Sequence, residues 1–134
     1  MQKKIRMKAY IESAKPRLFP YLRNPPVPLS LKLREYSGRY VHPAYGTFTI
    51  ALQGKELRGF LPGRRVLDLD PVCFEHVSGD SFIASADVFS VMSLRLFAKF
   101  DVDSSGIAMR FGVEFNKDDM VWFERAKQWA GTKY

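Results

Sequence analysis

The sequence predicts an all-β domain, an antiparallel barrel of about eight strands preceded by a short N-terminal helix and a proline-rich strap. Three observations carry this. Apolar residues recur at every second position through most of the chain after residue 33. Turn-forming residues separate those runs at short intervals. Aromatic residues are abundant, with eleven Phe, six Tyr and two Trp in 134 residues. Alternation places one side of a strand in a core and the other in water, and aromatic side chains suit a pleated, half-buried surface. The length suits one domain with a real core.

Residues 3–15, KKIRMKAYIESAK, have the composition of a short helix with Ile5, Tyr10 and Ile11 on its apolar side, and Pro16 is expected to end it. Five of the eight prolines then fall between 16 and 28, which predicts an extended strap that Phe19, Tyr21 and Leu22 are placed to pin. Residues 1–32 therefore read as an arm and 33–134 as the barrel. Strands are expected at Arg39–His42, Thr47–Gln53, Glu56–Leu61, Arg65–Leu69, Val72–Val77, Ser81–Ala86, Met92–Asp101 and Ile107–Phe115, with Met120–Arg125 as a candidate ninth. Turn signals such as Gln53-Gly54-Lys55, Ser78-Gly79-Asp80 and Asp103-Ser104-Ser105-Gly106 separate them. Short strands at this spacing make an up-and-down meander, and eight strands can close on themselves and remove exposed edges.

The net charge of +7 is unevenly spread. Residues 1–40 hold ten Lys/Arg against Glu12 and Glu35, whereas the rest of the chain holds eleven basic and twelve acidic residues. A nucleic-acid module usually carries its cations on the folded face, so a near-neutral barrel argues against nucleic acid as a partner. The single cysteine, Cys73, excludes an internal disulfide framework. No secretory leader or apolar run long enough to span a membrane is visible, and a cytoplasmic location is expected.

The segment LREYSGRYVHPAYGTFTIAL, with Tyr36, Gly38, Tyr40, His42, Pro43, Tyr45 and Gly46, resembles the opening signature of a lipocalin-like domain. That domain is appended to the C-terminus of serine hydrolases of the β-lactamase and penicillin-binding-protein type. FEHVSGDSF, with His76, Asp80 and Phe82, resembles its central segment, and FDVDSSGIAMRFGVEF followed by MVWFERA, with Gly106, Phe123 and Arg125, resembles its closing strands. The resemblance covers about 90 residues in three blocks and implies a lipocalin-like barrel. It does not bring the enzyme with it. None of the ten serines is followed three positions on by lysine, neither Asn24 nor Asn116 sits two after a serine or tyrosine, and no Lys-Thr-Gly triplet occurs. Hydrolysis by the Ser-x-x-Lys mechanism is excluded.

The residues left with chemical potential are His42, Tyr45, His76 and Asp87. His42 and Tyr45 lie in the HPAYG turn, either as a hydrogen-bonding pair at a barrel mouth or as polar side chains that pin a corner. Asp87 separates two apolar runs, either as a carboxylate in a pocket or as a solvated bend. Cys73, Glu75 and His76 fall short of a zinc site, so no metal is expected. Without a phosphate-cradling glycine loop, no nucleotide cofactor is expected either.

The inward faces are expected to carry Phe48, Ile50, Leu52, Leu94, Leu96, Phe100, Met109, Phe111, Val113 and Phe115. They would either fill the lumen or wall a cavity for one apolar molecule, with Tyr40 and Trp122 at its edge. Two functions remain open. In one, a free-standing barrel binds a terpenoid- or polyketide-like molecule and acts as a cofactor-independent isomerase or cyclase, holding a flexible substrate in a reactive conformer. In the other, a non-catalytic module covers or oligomerises a separate serine hydrolase. Met1 at the start reads as a free-standing chain, which favours the first.

Overall fold

The computed structural model describes residues 8–22, 25–60, 72–88, 92–116 and 119–126. Within them eight antiparallel strands close into a barrel in sequence order. They are β1 (Gly38–His42), β2 (Gly46–Gln53), β3 (Glu56–Phe60), β4 (Val72–Ser78), β5 (Ser81–Val88), β6 (Met92–Val102), β7 (Ala108–Asn116) and β8 (Asp119–Arg125). The expected strand Arg65–Leu69 lies outside the described residues, and β3 pairs directly with β4. The segment expected as a ninth strand is β8, which closes the seam against β1 at Tyr40↔Arg125 and Val41↔Glu124.

Ahead of the barrel, residues 8–12 are helical and a second helical piece runs Ala14–Leu18. Pro16 does not end the helix as expected. It sits in the first turn of that second piece, where an N–H has no intrahelical acceptor to lose. The arm lies on the outer face of the sheet, where Ala14, Val77 and Ile83 form a small second core with Leu18, Phe19 and Leu22 against it. Phe19 packs on Phe97 with ring centroids 5.2 Å apart.

Among the described residues the main core lies inside the barrel. Tyr36, Tyr40, Phe48, Phe74, Phe82, Phe100, Phe111 and Phe123 are all buried in one cluster with Ile50, Leu57 and Val113. Phe111 sits at its centre, stacked on Phe123 at 5.0 Å and tilted against Phe48 at 5.2 Å and Phe100 at 5.6 Å. Such offset and edge contacts add about 0.5–1.5 kcal/mol per pair to the burial of the rings. Gly59 makes room for them. A Cβ there would overlap the Phe48 ring and come within 3.1 Å of Phe74.

Three of the positions expected to point inward are exposed instead, two of them because alternation fails. In β7, Val102 pairs with Ala108 and Asp101 with Arg110, so Met109 is the extra residue of a bulge. Glu114 pairs with Met120 and Asn116 with Asp119, so Phe115 is the extra residue of a second. A bulge residue leaves the pleat, and Met109 and Phe115 are accordingly 44% and 46% exposed. Leu52 keeps its phase but lies at the end of β2, beyond the ring cluster, and is exposed too. Phe48, Ile50, Phe100, Phe111 and Val113 are buried, and Leu96 packs against them partly covered.

Arg125 fastens the seam. Its Nε donates to the Ala108 carbonyl at 2.5 Å, and its Nη2 donates to the Ser37 carbonyl at 3.1 Å and the Tyr40 hydroxyl at 2.9 Å. Tyr40 in turn donates to the Tyr36 carbonyl at 2.7 Å. Gly38, at φ 148°, takes a backbone conformation that L side chains rarely adopt, and the Arg125 guanidinium lies where a Cβ would be. Burial pushes the Tyr40 phenol up to about 12, against the opposing pull of Arg125.

Two outcomes follow. Gly59→Ala should lower the free energy of urea unfolding by about 1–3 kcal/mol through overpacking, and adding Phe48→Leu should restore part of it. In the alkaline range the Tyr40 phenol ionises near pH 10 when unfolded but only near 12 when folded. Its contribution is therefore complete below pH 10 and is lost as pH rises toward 12, by about 2–3 kcal/mol at most. Tyr40→Phe should flatten that part of the urea-midpoint profile.

Candidate functional site

Strand direction gives the barrel two ends. One carries the β2–β3, β4–β5 and β6–β7 turns with the start of β1; the other carries the β1–β2, β5–β6 and β7–β8 turns. The two ends differ in what covers them.

At the first end the strap acts as a stopper. Leu29, Leu31 and Leu33 pack against the core cluster, and the chain then makes a 3-10 turn at Leu33–Tyr36. The Val27 N–H donates to Ser78 Oγ at 2.9 Å, and the Gly79 N–H donates to the Val27 carbonyl at 2.7 Å. Asp80 Oδ1 accepts from both the Ser30 and the Tyr36 hydroxyls, each at 2.5 Å. Desolvation, reinforced by the Asp80 hydrogen bond, raises the Tyr36 pKa above its ordinary value. His76 belongs to this end. Its Nε2 lies 3.0 Å from the Gly79 carbonyl and must carry the proton to donate to it. Its ring stands edge-on to Phe82 at 5.5 Å. These polar groups are committed to one another and hold the stopper.

The second end bears an aromatic rim. His42 Nδ1 accepts the Ala44 N–H at 2.9 Å and the Tyr45 N–H at 3.3 Å, which fixes the turn and leaves Nε2 as the protonated nitrogen of the neutral ring. The His42 ring packs on Tyr45 at 4.9 Å and on Phe123 at 5.4 Å. Tyr45 reaches Phe115 at 6.0 Å, and both stay partly exposed. Asp87 lies near this end by its place in β5, opposite Ser93 of β6; its side chain is outside the described residues.

The structure thus brings His42 and Tyr45 together and leaves His76 at the opposite end. Tyr40 is deep in the wall and bonded to Arg125. Leu94 and Leu96 are half-covered on the inner side of β6. Trp122 faces outward over Gly112, with the Arg110 guanidinium 4.0 Å and the Lys99 ammonium 5.6 Å from its ring. It does not edge the lumen, because Phe123 takes the inward position beside it. Among the described residues no group of three or more His, Cys, Asp or Glu is gathered to hold a metal ion, and no helix is long and apolar enough to cross a membrane. Sequence reasoning did not assign Tyr36, Asp80 and Arg125 to any site, although they lie in the segments that carry the resemblance.

A third feature lies outside the barrel. Leu18, Phe19, Pro20, Tyr21 and Leu22 of the arm, with Ser78 and Ser81 of the β4–β5 turn, line an open groove of about 350 Å³. Tyr21 at its edge is 94% exposed.

Known proteins agree with this architecture. The crystal structure of the C-terminal domain of penicillin binding protein Rv0907 shares the fold, with a TM-score of 0.59 at 20% identity over 78% of this chain and 94% of that one. The chain is also 29% identical over 126 residues to the unguisins hydrolase ungD of Aspergillus violaceofuscus. That match covers 89% of this chain but 22% of the hydrolase, so the chain spans less than a quarter of its relative's length. A family model described as a domain of unknown function, DUF3471, matches residues 22–125, and the chain belongs to that family.

Proposed function

We propose that this barrel is a non-catalytic accessory module of a β-lactamase-type serine hydrolase, carried on the same chain or bound as a separate partner. The observation that carries this reading is the ring-packed interior of the described strands. Rings from Phe48, Phe74, Phe100, Phe111 and Phe123 touch one another where an apolar ligand would otherwise sit. The polar side chains nearest that interior, Tyr36, Tyr40 and His76, are hydrogen-bonded within the fold. The missing Ser-x-x-Lys element is in keeping with a module that does not itself carry that hydrolase chemistry. Similarity to a segment of a named hydrolase and to the C-terminal domain of a penicillin-binding protein supports the same reading.

The alternative, an apolar small molecule held for isomerisation or cyclisation, has one observation in its favour. The His42–Tyr45–Phe115 rim presents exposed rings beside a histidine. Such a ligand would use the rim, since the packed rings occupy the centre of the barrel.

The test uses the tagged full chain as bait in a lysate of its source cells treated with fluorescent penicillin and a fluorophosphonate probe. Retention of a labelled enzyme whose peptides contain Ser-x-x-Lys is the expected result. Native mass spectrometry showing a stoichiometric small-molecule adduct, with no labelled enzyme retained, would overturn the proposal in favour of the ligand reading.

A further inference from the structure

We infer that the groove between the N-terminal arm and the β4–β5 turn, with Tyr21 as its anchor, is the surface that docks the hydrolase's catalytic domain through an acidic, partly apolar face of that domain. The inference rests on the accessory-module reading and adds to it which side of the barrel is used.

The arm is built into the sheet. The ladder between β6 and β7 stops at Ala98↔Val113, which leaves Arg95 without a β7 partner. Tyr10 takes that place, its hydroxyl accepting the Arg95 N–H at 2.9 Å and donating to the Arg95 carbonyl at 3.1 Å. Val77, the extra residue of a bulge in β4, is buried under the same arm. The arm therefore presents a platform of fixed shape, and Tyr21 stands out from that platform beside Leu18, Phe19 and Leu22. A large amphipathic ring next to an apolar groove is the kind of residue that anchors protein interfaces.

Charge points to the same face. Lys8, Lys15 and Arg17 of the arm's helical pieces are exposed, against Glu12. Among the described residues the ion pairs all lie on the barrel, between Arg110 and Asp101 or Glu124 and between Arg58 and Glu56. The arm's cations are thus left to attract an acidic partner, which raises the rate and selectivity of docking. The hydrolase match covers 89% of the chain, a share that residues 22–134 alone fall short of, so the similarity extends into the arm.

A photoreactive benzoylphenylalanine is placed at position 21 in one full-length protein and at position 115 in another, each irradiated with the penicillin-labelled hydrolase. Cross-linking from 21 and not from 115 is expected. Tyr21→Ala should weaken binding by about tenfold or more, and Lys15→Glu should weaken it at low salt but much less at high salt. Cross-linking from 115 alone would overturn the surface and leave the accessory reading standing; no hydrolase captured from either position would overturn both. Binding of the arm to anionic phosphatidylglycerol vesicles in place of the hydrolase would likewise overturn the inference.

Discussion

Inside the barrel, edge-to-face packing of Phe74, Phe82, Phe100, Phe111 and Phe123 against Tyr36, Tyr40 and Phe48 sets what the surrounding strands can do. An eight-stranded barrel is about wide enough for its own side chains or for one small ligand. Here the inward positions carry rings where smaller residues would have left a cavity. Gly59 concedes its side chain to Phe48, and Ala84, Ala98 and Ala108 supply small inward neighbours. The result is a core of closely packed rings inside the described strands.

Three bulges shape the barrel's surface. Each of the three inserts one apolar residue into a strand of otherwise regular pairing: Val77 in β4, Met109 and Phe115 in β7. The chain covers Val77 with its own arm. Met109 and Phe115 remain partly open at opposite ends. The sheet is thus interrupted at points where it meets another element or the solvent, consistent with bulges acting to re-aim side chains.

The polar residues follow a similar logic. Arg125 satisfies carbonyls from three segments that meet at the seam, and Asp80 gathers two hydroxyls that hold the strap. Buried polar groups that lose water need such partners, since an unmade hydrogen bond costs more than a made one returns. Side chains that looked chemically promising in isolation, His76 above all, are used to fix a turn.

Alternation along GTFTIALQ and MSLRLFAKF was enough to determine strands, inward faces and an all-β barrel, because a period of two is a local property of the backbone. The HPAYG turn was equally local, and it lies between β1 and β2. Tertiary structure alone decided three things. Bulges that place Met109 and Phe115 outside depend on how β7 pairs with two neighbours. The packing of the lumen depends on rings from seven strands and the 3-10 turn meeting in one volume. The meeting of Tyr10 with Arg95, and of Tyr36 with Asp80, joins residues 85 and 44 positions apart, a distance over which side-chain type and spacing carry no register.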